Sequence, residues 1–331
     1  MLIFLEFTRS DQTWFDCELR FREEETKMSL YAQPKDVETE IFARVPEKFR
    51  RTGGRPSWGE ANIPGRDIDC FLEGPSFDAK GNLYLVNIPY GEIFKVTTDG
   101  NFSIVAEYDG WPNGLKVDRD GNLIVADYRK GILKVNPETG FVETMVDHRW
   151  SESFRGCNDL HLASNGDIYF TDQGQTGMHD PTGRVYRYTL DGNLQLLIGN
   201  GPSPNGLVLN LQESVLYVGM TRANSVWRIP LLPDGSTTKV SNYIQLSGGH
   251  GGPDGLALDA EGGLLVAHAG LGTVWHFDSL GQPMHRIRSC EGLMTTNLAF
   301  GGANNSTLYI TESETGNILK ADLPVKGAKM S

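Results

Sequence analysis

Short apolar segments alternate with turn sequences along most of this chain of 331 residues. A clear example has Asp254 before an apolar run at 256–258, a glycine-containing turn at 261–263 and a second apolar run at 264–267. Apolar runs of this length, separated by such turns, are typical of short strands, and long helical periodicity is hard to find. The pattern therefore predicts an all-β protein.

The same strand–turn–strand unit occurs six times. Its turns are centred at residues 81, 121, 166, 214, 262 and 306, so successive units are 40 to 48 residues apart. A repeat of this length is typical of a propeller or another repeat array, and each unit has the size of a four-stranded blade. We therefore expect a six-bladed β-propeller over residues 37–325.

The two ends of the chain differ from the repeats. Residues 1–36 are predicted to be an N-terminal extension, of which the glycine-free stretch 1–27 is expected to be dispensable, and residues 326–331 a tail. Residues 37–45 alternate between apolar and polar types, as an edge strand does. Because the sixth repeat has only three strands, this strand is predicted to complete it, closing the ring and covering an exposed sheet edge.

Composition narrows the choice of partners and compartment. A net charge of -12 argues against nucleic acid or an anionic membrane and favours a cation or a neutral small molecule. No apolar run approaches the roughly 20 residues that cross a bilayer, and residues 1–5 are too few for a signal sequence. The four cysteines form no CxxC pair. We expect a soluble cytoplasmic protein, with its oligomeric state left open.

Every repeat begins its innermost strand with a side chain that carries oxygen, eight or nine residues before the turn centre. We call this set the oxygen ring: Glu73, Asn113, Asn158, Asn205, Asp254 and Asn297. A single Asn-Gly or Asp-Gly pair usually marks only a turn. Six such residues in register, with Glu73 among them, instead indicate a site, because equivalent positions of a propeller face its axis.

The chemistry of the oxygen ring points to a divalent cation. Two carboxylates and four amides, without histidine or cysteine, form a set of hard oxygen ligands. Such a set suits Ca²⁺, Mg²⁺ or Mn²⁺ better than Zn²⁺, and favours Ca²⁺ where the site is roomy. The predicted cofactor is therefore one divalent cation, Ca²⁺ first.

Two further features allow two interpretations each. His250 and His268 lie near Asp254 in the sequence. Each is either a surface or core-edge histidine or, if it faces the channel, a base or substrate contact with a pKa near neutrality. The long loop 173–184 is either a lid that shapes the pocket or a solvated connector.

The motifs taken together resemble the SMP-30/regucalcin/gluconolactonase family. They are Glu73-Gly74-Pro75, Asn158-Asp159, Ser203-Pro204-Asn205-Gly206, Gly252-Pro253-Asp254-Gly255 and Thr296-Asn297. The resemblance covers roughly residues 37–325 and implies a six-bladed propeller that hydrolyses sugar or related lactones with one divalent cation. It implies Glu73, Asn205 and Asp254 as metal ligands and Asp254 also as general base. Zn²⁺, Mn²⁺ and Fe²⁺ are further possible ions in such proteins.

The remaining candidate positions concern the substrate. Members of this family often carry an arginine two residues before the asparagine of the third blade, but position 156 is Gly and the nearest arginine is Arg155. The predicted substrate contacts are Asn158, Arg155, Asn113, Asn297, His268 and His250. The resulting hypothesis is a metal-dependent lactonase. Its alternatives are a metal-dependent phosphotriesterase or arylesterase and a non-catalytic ligand-binding propeller.

Overall fold

A computed structural model describes residues 33–329 of the chain. Six sheets surround one axis, five of four strands and one of five, and apart from two N-terminal strands consecutive strands along the chain are antiparallel neighbours within each sheet. The predicted all-β six-bladed propeller is thus confirmed. The prediction that residues 1–27 are dispensable concerns residues outside the described part.

The first three blades follow one another without interruption by another sheet element, apart from a small hairpin before the third. Blade 1 contains Leu72–Phe77, Leu83–Asn87, Glu92–Val96 and Phe102–Glu107. Blade 2 contains Pro112–Val117, Leu123–Asp127, Gly131–Val135 and Val142–Val146. The hairpin pairs His148–Arg149 with Glu152–Ser153. Blade 3 contains Cys157–Leu162, Ile168–Asp172, Gly183–Tyr188 and Leu194–Gly201.

The other three blades complete the ring. Blade 4 contains Pro204–Leu209, Val215–Met220, Ser225–Pro230 and Ser241–Gln245. Blade 5 contains Gly252–Leu258, Leu264–Ala269, Thr273–Phe277 and Pro283–Arg288. Blade 6 contains Thr295–Gly301, Thr307–Glu312 and Asn317–Asp322, with Glu40–Arg44 as its outer strand.

The N-terminal segment closes the ring but contributes two strands instead of one. Glu40–Arg44 pairs antiparallel with Asn317–Asp322, as predicted, whereas Lys35–Glu38 adds a fifth, parallel strand to blade 5. The break falls at Thr39, whose N–H and hydroxyl both donate to the carbonyl oxygen of Arg288, at 3.2 and 2.9 Å. The chain therefore crosses from one blade to the next at this residue, and it begins its sheet pairing two residues before the predicted boundary.

Helices are few and short. The described part of the chain has one α-helix, Ser57–Asn62, before blade 1, and short 3-10 helices at Glu47–Phe49, Ile88–Tyr90 and Thr221–Ala223. Within residues 33–329, none of these is long and apolar enough to cross a bilayer. The predicted C-terminal tail is attached to blade 5, where the Ala328 N–H donates to the Leu258 carbonyl at 2.9 Å.

The apolar core lies between adjacent blades. At the junction of blades 1 and 2, for example, Val86 and Ile93 pack with Leu115, Leu123 and Val125, all of them buried. Each blade thus buries both of its faces against neighbours, which explains why its middle strands are almost continuously apolar. This packing holds the six innermost strands around the axis, where the oxygen ring lies.

Candidate metal centre and ligand cavity

Each innermost strand carries a β-bulge or register shift at the start of the strand, at or beside its oxygen-ring residue. In blade 1 the regular pairing breaks between Glu73 and Ser76, in blade 4 between Pro204 and Leu207, and in blade 5 between Pro253 and Leu256. A bulge bends the strand and re-aims a side chain, and bulges are over-represented beside active sites. Repeated in every blade, this distortion turns the ring residues toward the axis.

Glycines after the ring residues allow the strands to come close together there. A Cβ atom on Gly206 would lie 2.2 Å from the Asp254 carbonyl oxygen, and one on Gly255 would lie 2.1 Å from Asn297 Oδ1. No larger residue fits these positions without moving the neighbouring strand. The Asn-Gly and Asp-Gly pairs of the repeats are therefore contacts between blades as well as local turns.

Five of the six ring residues line one cavity of about 570 Å³, which we call the central cavity. They are Glu73, Asn113, Asn158, Asn205 and Asp254. Such a volume lies within the range of small-molecule sites. The structure thus brings together the three predicted metal ligands and two of the predicted substrate contacts.

Glu73 and Asp254 are carboxylates in a strongly desolvated, like-charged setting. Burial and repulsion from Asp159 raise the pKa of Glu73 to about 7, although Asn297 and the Gly74 N–H stabilise its charged form. Burial and repulsion from Glu73 and Asp159 raise the pKa of Asp254 well above its usual value, with Arg222 acting in the opposite direction. These groups need a positive charge to remain ionised together at neutral pH.

Asp159 is a third carboxylate of this cluster, and the sequence reasoning missed it. Its side chain is 2 % exposed, and burial raises its pKa despite the attraction of Lys116. Asp159 Oδ1 would lie 2.3 Å from a Cβ atom on Gly114, so the carboxylate occupies space that this glycine leaves open. The sequence did contain a signal for this residue. Four other repeats have Gly directly after the oxygen-ring residue, where the third repeat has Asp159.

Hydrogen bonds to neighbouring side chains orient two amides of the oxygen ring. Asn205 Nδ2 donates to Thr221 Oγ1 at 3.1 Å, and that hydroxyl donates to the Pro253 carbonyl at 2.8 Å. The Asn205 side chain also stabilises the charged form of Asp254 through a hydrogen bond, so its amide nitrogen serves two neighbours and its Oδ1 is the atom available to a cation. Likewise, Asn158 Nδ2 donates to Gln173 Oε1 at 2.9 Å.

Asn297 does not line the central cavity, and it supports the ring from behind. Its Nδ2 donates to Glu73 Oε2 at 2.8 Å and to Asp159 Oδ2 at 3.2 Å, while its Oδ1 accepts the Leu298 N–H at 2.8 Å. The side chain is 1 % exposed. Every polar atom of the amide is thus used within the protein, so the residue orients Glu73 and has no free group for a substrate.

Three other predicted substrate contacts lie outside the lining of the central cavity. Arg155 Nη1 donates to Thr182 Oγ1 at 2.5 Å, which directs the guanidinium toward the loop. His250 is exposed at the surface. His268 is fully buried, with Trp275 Nε1 donating to its Nδ1 at 3.2 Å and its Nε2 3.1 Å from the Gly248 carbonyl oxygen. Both ring nitrogens of His268 are therefore engaged, as in a structural histidine.

The wall of the central cavity includes a helix that carried no functional prediction and part of the loop 173–184, for which a pocket-shaping role was one of two interpretations. The helix Ser57–Asn62 contributes Trp58, which packs on Phe71 with ring centroids 4.7 Å apart. Gln175 Nε2 donates to Asn62 Oδ1 at 3.2 Å and to the Tyr128 hydroxyl at 3.0 Å. Residues 173–179 also line the cavity, so the long loop forms part of its wall.

The donor set fits a hard divalent cation. None of the ion pairs formed by the described residues involves Glu73, Asp159 or Asp254, so no positively charged side chain is in direct contact with these carboxylates. Among the same residues, no three His, Cys, Asp or Glu side chains converge closely enough to hold an ion by themselves. Amide oxygens such as that of Asn205 must complete the coordination, as is common for Ca²⁺.

Fold and site together define a six-bladed propeller with an oxygen-lined centre on its axis. A family model described as the SMP-30/gluconolactonase/LRE-like region matches residues 71–314. The chain belongs to this family, and the resemblance inferred from its motifs is confirmed.

Curated relatives support the family assignment over most of the chain. A diisopropyl-fluorophosphatase of Loligo vulgaris is 29% identical over 296 residues, covering 81% of this chain and 92% of that protein. A gluconolactonase of Zymomonas mobilis is 31% identical over 272 residues, covering 73% of this chain and 76% of the relative. The lactonase drp35 of Staphylococcus aureus is 31% identical over 230 residues, covering 65% of this chain and 69% of the relative.

Solved structures share the fold at lower identity. A calcium-binding protein, regucalcin, from Agrobacterium tumefaciens superposes with a TM-score of 0.73 at 22% identity, covering 90% of this chain and 98% of that one. A gluconolactonase from Xanthomonas campestris superposes with a TM-score of 0.69 at 22% identity, covering 90% of this chain and 99% of that one. These likenesses concern the fold.

Proposed function

We propose that this protein is a divalent-metal-dependent lactonase that hydrolyses a sugar-type or related small lactone to the hydroxy acid. The observation that carries the proposal is the pair of raised-pKa carboxylates, Glu73 and Asp254, facing amide oxygens in one cavity of about 570 Å³. Relatives named gluconolactonase and lactonase support the reaction class.

Glu73, Asn205 and Asp254 would hold the cation, and Ca²⁺ is the ion that their oxygens favour. When bound, such an ion polarises a carbonyl group and stabilises negative charge on its oxygen, a contribution of several kcal/mol. Asn297 holds the carboxylate of Glu73 in place through its hydrogen bond of 2.8 Å. Thr221 does the same for Asn205.

Asp254 also serves as the general base. An oxygen of its carboxylate accepts a proton from the attacking water, whose oxygen forms a bond to the lactone carbonyl carbon. The ring C–O bond then breaks, and the proton passes to the departing alkoxide oxygen, which becomes the hydroxyl of the product. A bound cation would lower the pKa of Asp254 again, so the carboxylate oxygen that does not face the ion would act as the base, on a lactone that is already an activated ester.

The lining of the central cavity favours a lactone with one polar and one apolar side. Its apolar wall contains Trp58, Ile63, Phe71, Ile88 and Met294. Its polar wall contains Asn113, Asn158, Gln173, Ser203, Thr221 and Arg222. Asn158, held by Gln173, and Asn113 are the amides that would orient the substrate, while the apolar wall would pack against carbon atoms.

The residue at position 156 favours a substrate other than the lactone of a sugar acid. A Cβ atom on Gly156 would lie 2.4 Å from the Tyr128 ring, so the aromatic side chain occupies the space that an arginine would need. Arg155 turns instead toward Thr182. The substrate-binding arginine expected from the family pattern is therefore replaced locally by an aromatic surface, which suits a less hydroxylated lactone.

A second candidate is hydrolysis of a phosphotriester or phosphorofluoridate. The diisopropyl-fluorophosphatase of Loligo vulgaris, which covers 81% of this chain, favours it, because a cation polarises a P=O group in the same way. A non-catalytic binding propeller is the third.

A substrate panel separates these candidates. Metal-loaded protein is assayed by acid release on gluconolactone, on alkyl- and aryl-substituted lactones, and on diisopropyl fluorophosphate. We expect the highest kcat/KM on a substituted lactone. A clear preference for the fluorophosphate would assign the second function, and no turnover on any compound would leave a binding protein.

A further inference from the structure

The innermost strands form a second ring on the opposite side of the oxygen ring. Three residues after each oxygen-ring position, about 10 Å along a strand, stand six residues that we call the distal ring. They are Ser76, Lys116, His161, Val208, Ala257 and Phe300. All six line a second cavity of about 290 Å³, which we call the distal cavity.

The distal ring is polar on one side and apolar on the other. Blades 1 to 3 contribute Ser76, Lys116 and His161, and blades 4 to 6 contribute Val208, Ala257 and Phe300. Leu256 and Leu298 extend the apolar side of the distal cavity. A site of this kind, mostly apolar with a few convergent polar groups, is typical of small-molecule binding, and its volume lies near the lower end of the usual range.

Lys116 is the one charged residue of the distal ring, and it is buried, whereas Glu213 and Lys329, which also line the distal cavity, are half-buried and exposed. Lys116 is only 6 % exposed, yet among the described residues its side chain makes neither a hydrogen bond nor an ion pair. A lysine is almost never buried without a partner, because its charge loses solvation. Its field reaches the oxygen ring, where it opposes the rise in the pKa of Asp159, but no carboxylate lies within ion-pair distance.

The other two polar groups are neutral. Burial and the charge of Lys116 lower the pKa of His161 to about 3, so its imidazole is uncharged at neutral pH. Ser76 Oγ accepts the Val117 N–H at 3.1 Å, which leaves its own hydroxyl proton free to donate. The polar side of the distal ring thus offers one positive charge and neutral hydrogen-bonding groups.

We propose that the distal cavity binds a small monocarboxylate with an apolar body, separately from the lactone bound in the central cavity. The carboxylate pairs with the Lys116 ammonium and accepts a hydrogen bond from Ser76. The apolar body packs against Val208, Ala257 and Phe300. Lys116 is the one buried, unpartnered cation of the distal ring, which matches a monoanion, and the cavity volume limits the ligand to a short alkyl or single-ring acid.

Binding of sodium octanoate to the full-length, metal-loaded protein tests this inference by titration calorimetry, with 1-octanol as the uncharged probe of equal chain length. Three variants separate the two cavities. Lys116→Met removes the charge, Ala257→Leu fills the apolar side without altering any charge, and Asp254→Asn alters the central cavity. Circular dichroism confirms that each variant is folded.

We expect the wild type and Asp254→Asn to bind octanoate saturably and one to one. In both Lys116→Met and Ala257→Leu the affinity for octanoate should fall by about tenfold or more. Octanol should bind more weakly than octanoate. The inference is overturned if the wild type shows no saturable binding at millimolar octanoate, which would leave Lys116 as an internal counter-charge. Binding that survives both distal variants, or that is lost in Asp254→Asn, would also overturn it by placing octanoate elsewhere.

Discussion

At the scale of single residues, the centre of the propeller concentrates negative charge. Glu73, Asp159 and Asp254 repel one another in a desolvated setting, and no ion pair among the described residues compensates them. Such an arrangement costs stability unless a cation is bound, and clusters of perturbed carboxylates are frequent at functional sites. The free energy lost by burying these charges is then recovered when the ion binds to the native state.

Replacement of Asp254 by Asn is the most direct test of its two proposed roles. We expect kcat to fall by roughly 10²–10⁴-fold, because the general base is lost and a ligand is weakened. Without metal, the variant should unfold at the same temperature as the metal-free wild type or at a higher one, because one of the mutually repelling charges is gone. Asp120→Asn, in an exposed turn of blade 2, is the matched control. Near-normal kcat in Asp254→Asn would remove both roles from this residue.

Replacement of Asn297 by Leu tests its supporting role. The loss of its hydrogen bonds to Glu73 and Asp159 should lower Ca²⁺ affinity about 10–100-fold, which is the usual effect of removing a group that orients a metal ligand. Calorimetric titration of the metal-free protein measures this affinity directly. Asn101→Ala, in an exposed turn of blade 1, is the control. Unchanged affinity in Asn297→Leu would show that Glu73 is positioned without it.

The lowered pKa of His161 makes its contribution to the free energy of unfolding depend on pH. Its pKa is about 3 in the folded protein and ordinarily 6.5, so below pH 6.5 the unfolded chain binds a proton that the native state excludes. The contribution of His161 to stability should therefore fall as pH decreases, by about 1.4 kcal/mol per unit, or about 2 kcal/mol from pH 6.5 to 5, while the raised pKa of buried carboxylates such as Glu73 acts in the opposite direction in both proteins. Urea unfolding of the wild type and His161→Gln at both values measures this difference. An equal loss in the two proteins would contradict the assignment.

At the scale of elements, the repeated bulges and glycines explain how much the sequence could predict. The turn spacing located the blades, and counting back from each turn located all six residues of the oxygen ring. The periodicity could not show that Asn297 turns behind Glu73, because that depends on contacts between blades 6 and 1. Nor could it place Trp58, since the helix Ser57–Asn62 lies outside the repeats.

Two N-terminal truncations test the strand that closes the ring. Deletion of residues 1–27 should leave activity and melting temperature unchanged. Deletion through residue 44 removes Lys35–Glu38 and Glu40–Arg44, which leaves the edge of Asn317–Asp322 unpaired. A loss of several kcal/mol should then lower Tm by about 10 °C or more. Differential scanning calorimetry measures both proteins, and a large effect of the shorter deletion would show that residues 1–27 are not dispensable.

At the scale of the whole molecule, two cavities lie along one axis with different chemistry. The central cavity is bounded by carboxylates and amides, whereas the distal cavity has a lysine and an apolar wall. Lys116 links them electrostatically, because its charge acts on both Glu73 and Asp159. The N-terminal strands join blades 5 and 6, so the ring that holds both cavities depends on residues far from the site in sequence.

We expect lactone hydrolysis to require a cation at the oxygen ring. The protein is stripped with chelator, reloaded separately with Ca²⁺, Mg²⁺, Mn²⁺, Zn²⁺ or Fe²⁺, and assayed for acid release from a lactone panel. We expect no turnover without metal and restored turnover with at least one ion, Ca²⁺ first, in the wild type and not in Asp254→Asn. Turnover that persists in the stripped protein, or no turnover with any ion on any lactone, would contradict the account.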